Sequence, residues 1–383
     1  MRKGYLTTAR ALGLALGLGV GAMAHAATAN AAPVLDCPLG RQPLSTQSPL
    51  ADVLSVPAGK AVVEAASPGL AHAMMHPFGG GALPPGFDRI VTPRSVLAML
   101  GKTDPALSAR LDKDLAKVRL TNADVAIRCR TYDNDRPAIP ADLPRPAILV
   151  FGKITGFRDS PSVNAAETAL KGIAARHGWG IVFTDRGGVF NAADLSRFDA
   201  VVWNNVSGDA LTIPQRAAFR KYVESGGGYA GIHGSGGDPQ FFWNWYADTL
   251  IGARFIGHPM APQFQEARVV MEDRAHPATH GLPGEWRMTE EWYSFDRSVR
   301  PLPRTRVLAS LDETTYKPGE GFGRKMAMGD HPIAWTRCLG KGRSFYTAIG
   351  HRPENYSQPE SLQLLDQGIL WAMGLSPESC AAK

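Results

Sequence analysis

The chain has 383 residues, 44% of them hydrophobic and 20% charged; this is the make-up of one large domain or two, and it excludes a mostly disordered, collagen-like or low-complexity protein. A mean hydropathy of −0.14 with a single long apolar run excludes a polytopic membrane protein. The formal net charge of +6 raises the question of an anionic partner, and the N-terminus answers part of it.

Arg2, Lys3 and Arg10 open the chain, with no acidic residue before Asp36, and an apolar run of about 14 residues follows at Ala11–Ala24. That run is shorter than the roughly 20 residues of a membrane span and has the length of a signal-peptide core. Small-x-small sites at Ala24-His25-Ala26 and Ala29-Asn30-Ala31 complete a secretory signal over residues 1–31, and Asp36 directly before Cys37 argues against a lipoprotein. Cleavage removes three basic residues and no acidic one, taking the charge from +6 to +3. The expectation is a periplasmic or secreted protein, with no stable membrane insertion after processing. No basic stripe with interleaved aromatics supports a nucleic-acid partner. Four cysteines remain, none in a C-x-x-C pair. In an exported chain an even number points to disulfides, and pairing within each end is expected, Cys37 with Cys129 and Cys338 with Cys380.

Residues 33–132 read as a small helical module. Pro49–Ser67 has helical spacing broken at Pro57, and Thr92–Val118 suits two helices around a Thr103-Asp104-Pro105 turn, with Thr92 as a cap before proline. His72 and His76, four apart, are better read as ordinary surface histidines than as a metal pair. Residues 133–146, with Pro137, Pro140, Pro144 and Pro146, form a stiff linker.

From Ala147 strands and helices alternate. Strands are predicted at Ala147–Phe151, Gly180–Phe183, Asp199–Trp203 and Tyr229–Ile232, and helices at Ser162–His177, Pro214–Glu224 and Pro239–Leu250. This is the pattern of an α/β protein with a doubly wound, mostly parallel sheet, flavodoxin-like in type. Later strands near Glu266–Met271, Glu291–Phe295, Val307–Leu311, Pro332–Trp335 and Ser344–Ile349 have no long helix between them, so they extend the sheet with antiparallel strands. Leu362–Met373 closes the domain.

Ligands of such sheets bind beyond the carboxyl ends of the strands. Three of these ends carry polar residues: Lys153 to Asp159, Asn204-Asn205 with Ser207 to Asp209, and Gly231-Ile232-His233-Gly234-Ser235-Gly236-Gly237-Asp238. The last resembles a nucleophile elbow, but its apical residue is His233, which excludes acyl-enzyme chemistry there. No G-x-S-x-G and no phosphate-binding glycine motif occurs, so neither an esterase nor a nucleotide cofactor is expected. His258, Glu290, Glu291 and His351 follow or interrupt strand-like runs and could fold over the same face. Histidines with a carboxylate suit proton transfer near neutral pH or a borderline divalent metal, and the cofactor stays open between none and such a metal. His276 and His280 read as parts of a rigid turn. In the run Phe241-Phe242-Trp243-Asn244-Trp245-Tyr246, Phe242 and Trp245 are expected in the core and Trp243 on a sugar ring.

Several ordered strings then resemble the ThuA-like (trehalose-utilisation) family: Gly228-Tyr-Ala-Gly-Ile-His233, Trp243-Asn-Trp-Tyr246, Gly252-Ala-Arg-Phe-Ile-Gly-His-Pro259, Glu290-Glu-Trp-Tyr293, His331-Pro-Ile-Ala-Trp335 and Gly350-His351. The resemblance spans about residues 147–374. It implies a fold similar to class I glutamine amidotransferases without the cysteine nucleophile, and a role in sugar or disaccharide catabolism, including steps on oxidised (3-keto) glycosides. It departs from the family's pattern at Asp159, where members usually carry histidine, and at Leu364-Leu365 near the last helix. Asp159 is then a substitute ligand or base. The resulting expectation is an exported carbohydrate enzyme with His233 and Glu291 as acid–base groups and His258 and His351 assisting or binding a metal. Arg158, Asn205, Trp243 and Tyr293 would bind the sugar. The alternative is a non-catalytic sugar-binding protein on the same scaffold.

Overall fold

Proline sets where the first helices begin. The computed structural model describes residues 33–237, 243–376 and 380; the segment at 1–31 expected to be a signal, Asp238, and Phe241 and Phe242 lie outside the described residues. Pro57 cannot donate to continue α1 (Leu50–Ser55) and instead opens α2 (Pro57–Ala66). After α3 (Leu70–Met75), Thr92 and Ser95 form a reciprocal capping box for α4 (Pro93–Met99). Asp104 caps α5 (Pro105–Leu115), and Thr121 with Asp124 caps α6 (Asn122–Arg128). These helices close over a core of their own that includes Leu50, Val53, Val63, Met74, Leu97 and Leu111. Disulfides join Cys37 to Cys129 and Cys338 to Cys380, the pairing expected from the sequence.

Residues 133–146 are strapped to the following domain. The Asp133 carbonyl accepts from Gln215 at 2.7 Å, its carboxylate accepts from Gly187 N at 2.9 Å, and Arg145 pairs with Asp199 at 2.6 Å. From Pro33 onward the chain forms one compact unit.

The strands in chain order are β1 (Ala147–Phe151), β2 (Gly180–Thr184), β3 (Ala200–Asn204), β4 (Gly228–Ile232), β5 (Phe255–Gly257), β6 (Phe264–Met271), β7 (Glu285–Glu291), β8 (Ser294–Phe295), β9 (Thr305–Asp312), β10 (Glu320–Gly321), β11 (Arg324–Lys325), β12 (Pro332–Leu339) and β13 (Gly342–Thr347). Nine of them make one sheet in the order β2-β1-β3-β4-β13-β12-β9-β6-β7. The first five run parallel, and each later neighbour is antiparallel. The fold is therefore a mixed α/β one, with its parallel half in the flavodoxin-like order. The major helices of this domain are α7 (Ser160–His177), α8 (Ala192–Leu195), α9 (Ile213–Glu224) and α10 (Pro359–Ala372).

Both faces of the parallel half are covered, as the period-2 alternation of strand side chains requires. Trp203 stacks towards Phe219 of α9, whereas its neighbour Asn204 donates to the Val163 carbonyl of α7 at 3.1 Å. Phe345 meets Gly368 of α10, while Ser344 donates to the Leu250 carbonyl on the other side.

Three elements differ from the sequence expectation. Ser344–Ile349 is grouped there with the antiparallel strands, yet β13 runs parallel to β4. The reason is the tight Gly340-Lys341 turn: it reverses the chain after β12, so the returning arm matches the direction of β4. The strand expected at Glu291–Phe295 begins earlier, at Glu285, because Trp286, Met288 and Glu290 alternate inward. The described part of the Pro239–Leu250 helix is a π-helix, Trp245–Ile251, ended by Gly252 at φ 102°.

Candidate active site

The turn after β4 sets the centre of the site. His233 has φ +39°, a left-handed conformation uncommon for a side chain larger than glycine and found where surrounding contacts enforce it. Those contacts are visible. Tyr346 donates to the His233 carbonyl at 2.9 Å, Tyr246 donates to the Ser235 carbonyl at 2.6 Å, and the Ser235 hydroxyl bridges Val206 N and the Trp203 carbonyl. Gly236 must be glycine here, because a Cβ would lie 2.1 Å from the Tyr346 ring.

Three imidazoles converge on one carboxylate. Glu291, at the end of β7, places Oε2 3.0 Å from His351 Nδ1 and 3.4 Å from His233 Nε2. Its Oε1 lies 3.3 Å from His258 Nε2 and accepts from Gln263. His233 Nε2 and His351 Nδ1 are 3.2 Å apart. The far nitrogens of two rings are fixed by carbonyls, His233 Nδ1 to Ala348 O at 2.7 Å and His258 Nδ1 to Pro259 O at 3.0 Å. Each of these Nδ1 atoms carries a proton, and both Nε2 atoms face the Glu291 carboxylate.

The neighbouring Glu290 has a different task. Fully buried, it accepts from Glu291 N at 2.8 Å, Gly350 N at 2.8 Å, His351 N at 3.1 Å and Asn355 Nδ2 at 2.6 Å. It pins the loop after β13, which carries His351, against the end of β7. Burial pushes its carboxyl above the ordinary value, against the opposing effect of His233 and these donors. Burial would also raise Glu291, but hydrogen bonds from His233 and His351 and the charge of His258 hold it well below the usual carboxylate range. Burial lowers His258 despite the pull of Glu291. For His351 burial opposes protonation, yet the Glu291 hydrogen bond and charge leave it above the ordinary imidazole value.

The remaining residues singled out in the sequence fall in four places. Tyr293 joins the cluster, its ring 4.1 Å from that of His233 and 4.3 Å from that of Phe255. Asn205 lies behind the turn, donating to Asn204 and Tyr356 at 3.0 Å each. Asp159 caps α7 through Ser162 N at 3.2 Å, and the Ser162 hydroxyl lies between Asp159 and the carbonyl of His351. Asp159 thus steadies the His351 backbone and is outside the converging donors. Arg158 is exposed, next to Phe157, which packs edge-on against Phe87 of the N-terminal helices. Trp243 is packed with Phe219, Trp245 and Tyr246 and lies under the Arg216 guanidinium. Its ring contacts are thus with α9 and the π-helix. His276 caps the short turn Pro277–Thr279.

Sequence reasoning passes over Gln263, Phe264 and Phe322. Phe264, 40% exposed, sets its ring 5.1 Å from His351, and Phe322 lies 5.3 Å from His258. The one available signal for Gln263 and Phe264 is their position within a few residues of His258 and at the start of β6; nothing in the sequence marks Phe322. His351 is the most exposed member of the cluster, with 16% of its side chain accessible against 4% for His233. The site therefore meets solvent on the His351 and Phe264 side.

A family model described as ThuA, trehalose utilisation, matches residues 147–372. Among solved structures, a ThuA-like protein from Bacteroides uniformis ATCC 8492 is 26% identical with a TM-score of 0.51, over 62% of this chain and 95% of that one. A ThuA-like protein from Parabacteroides merdae ATCC 43184 is 18% identical with a TM-score of 0.44, over 62% and 92% respectively. No curated protein sequence matches the chain.

Proposed function

The chain belongs to the ThuA family, described as trehalose utilisation, and from that premise we propose that it is an exported enzyme of carbohydrate catabolism. Its substrate is a disaccharide or an oxidised (3-keto) glycoside, handled by histidine–glutamate proton transfer without a cysteine nucleophile. The observation that carries this reading is the convergence of His233, His258 and His351 on Glu291 at the carboxyl ends of the strands. Export is supported by the two disulfides. Among the described residues, no helix is long and apolar enough to cross a membrane.

A 3-keto sugar needs only acid–base help to be cleaved. The carbonyl acidifies the proton on the adjacent C2; a base removes it, the C1–O bond breaks, and the leaving oxygen takes up a proton. His258 is the base in this reading. Its Nε2 lone pair is aimed by the Pro259 carbonyl, and its side chain is more accessible than that of His233, 10% against 4%. The proton it takes from C2 is the one it returns to the leaving oxygen, while Glu291 stabilises the imidazolium in between. Phe264 offers an apolar face to the sugar at the mouth of the site.

The test is to incubate mature protein with native and 3-keto disaccharides and to follow products by mass spectrometry. Glu291→Gln and His258→Ala should each lower turnover by about 10²–10⁴-fold with the melting temperature little changed. Full activity in both variants, or no product from either substrate with the wild type, would sink the reading.

A further inference from the structure

The converging donors are too close together to admit a sugar between them, and they have the spacing of a metal coordination shell. His233 Nε2, His351 Nδ1 and Glu291 Oε2 are separated by 3.2, 3.4 and 3.0 Å. Ligands held at about 2.0–2.2 Å from one ion lie about 2.8–3.6 Å from each other, from octahedral to tetrahedral geometry. All three side chains are buried or nearly so, and this group of potential ligands is the one such group among the described residues.

The aim of the rings points the same way. His233 Nδ1 donates to Ala348 O, so Nε2 is the ring nitrogen left to face Glu291 and His351. His258 Nε2 lies beside Oε1, outside this group. A single cation between His233 Nε2, His351 Nδ1 and Glu291 Oε2 would be met by all three. A ring whose second nitrogen donates to a backbone carbonyl is also the usual outer-shell arrangement of a metal-bound histidine.

We infer that His233 Nε2, His351 Nδ1 and Glu291 Oε2 bind one divalent first-row transition-metal ion. Two imidazoles and one carboxylate select Zn²⁺, Fe²⁺ or Mn²⁺ over Mg²⁺ or Ca²⁺, which prefer all-oxygen shells. Three protein ligands leave at least one position for substrate oxygen, as in catalytic rather than structural sites. Binding of the ion stands on geometry alone. Only its role, polarising the carbonyl of a keto sugar while His258 moves the proton, rests on the proposed function.

The experiment is metal analysis of the purified protein, followed by chelation and titration with Co²⁺, whose visible absorption reports nitrogen and oxygen ligation. The expected result is one equivalent bound, restored by Zn²⁺ or Co²⁺ after chelation. His233→Ala and Glu291→Gln should each weaken binding at least tenfold. Circular dichroism of each variant shows whether it is folded, and the wild-type titration stands without them. His72 and His76 form an exposed stacked pair and are the obvious adventitious site. His72→Ala/His76→Ala should keep the full equivalent. Absence of stoichiometric binding by the wild type, or its loss in the His72/His76 variant alone, overturns the inference. Metal binding without sugar turnover would leave it standing and overturn the proposed function, whereas turnover by metal-free protein would overturn only the ion's catalytic role.

Discussion

Glu290 shows how much structure one buried carboxylate can hold. Two oxygens receive four N–H groups, three from the backbone and one from Asn355. Replacing one oxygen by an amide sets an NH₂ against donors in a place closed to water. Glu290→Gln should therefore cost about 1–3 kcal/mol, the penalty of a buried polar group left without its partner, seen as a lower urea midpoint with the disulfides intact. An unchanged midpoint would mean that the loop carrying His351 is held by other contacts. In the sequence, Glu290 and Glu291 are indistinguishable neighbours. Period-2 alternation in β7 separates them: one points back to clamp a loop and the other forward into the histidines.

The turn after β4 is the element on which the site depends. A strand ending in His233-Gly234-Ser235-Gly236 is readable as a sharp turn because small residues follow the bulky one. What the residues themselves do not reveal is the ring of tyrosine hydroxyls, from Tyr346 and Tyr246, that holds its carbonyls. Gly236→Ala forces the Tyr346 ring or the turn to move, since the added carbon would meet Cζ at 2.1 Å. Overpacking of this kind costs about 1–3 kcal/mol, and the displacement passes directly to His233. We expect the variant to melt lower and to lose most of its activity or metal affinity; wild-type behaviour in both would show that the turn does not position His233. Trp243 illustrates the opposite limit of sequence reasoning. Its composition suits a sugar ring, but the π-helix turns it onto Phe219 and Arg216.

At the scale of the whole molecule, the two disulfides close loops of different length. Cys37 and Cys129 are separated by 92 residues, Cys338 and Cys380 by 42. In the chain-entropy account each bridge stabilises by about 4 kcal/mol, and the longer loop exceeds the shorter by only about 0.7 kcal/mol. Cys37→Ser/Cys129→Ser and Cys338→Ser/Cys380→Ser should thus lower stability by similar amounts in denaturant titrations. A much larger loss for the first would show that the helices of residues 33–132, with their separate core, depend on the bridge to stay folded.

The sequence alone determined the helices that proline and capping residues start, the period-2 strands and the histidines at the strand ends, because these are set by local sterics and side-chain alternation. Half of the +6 of the full chain was likewise traceable to three basic residues near the N-terminus. Tertiary structure alone decided that β13 would join β4 in parallel and that the end of β7, at the far edge of the sheet order, would meet the loop after β13. It also decided that His233, His258 and His351 would share one carboxylate rather than merely the same face. Those outcomes join residues up to 118 positions apart, and no local preference encodes a contact that only the closed sheet creates.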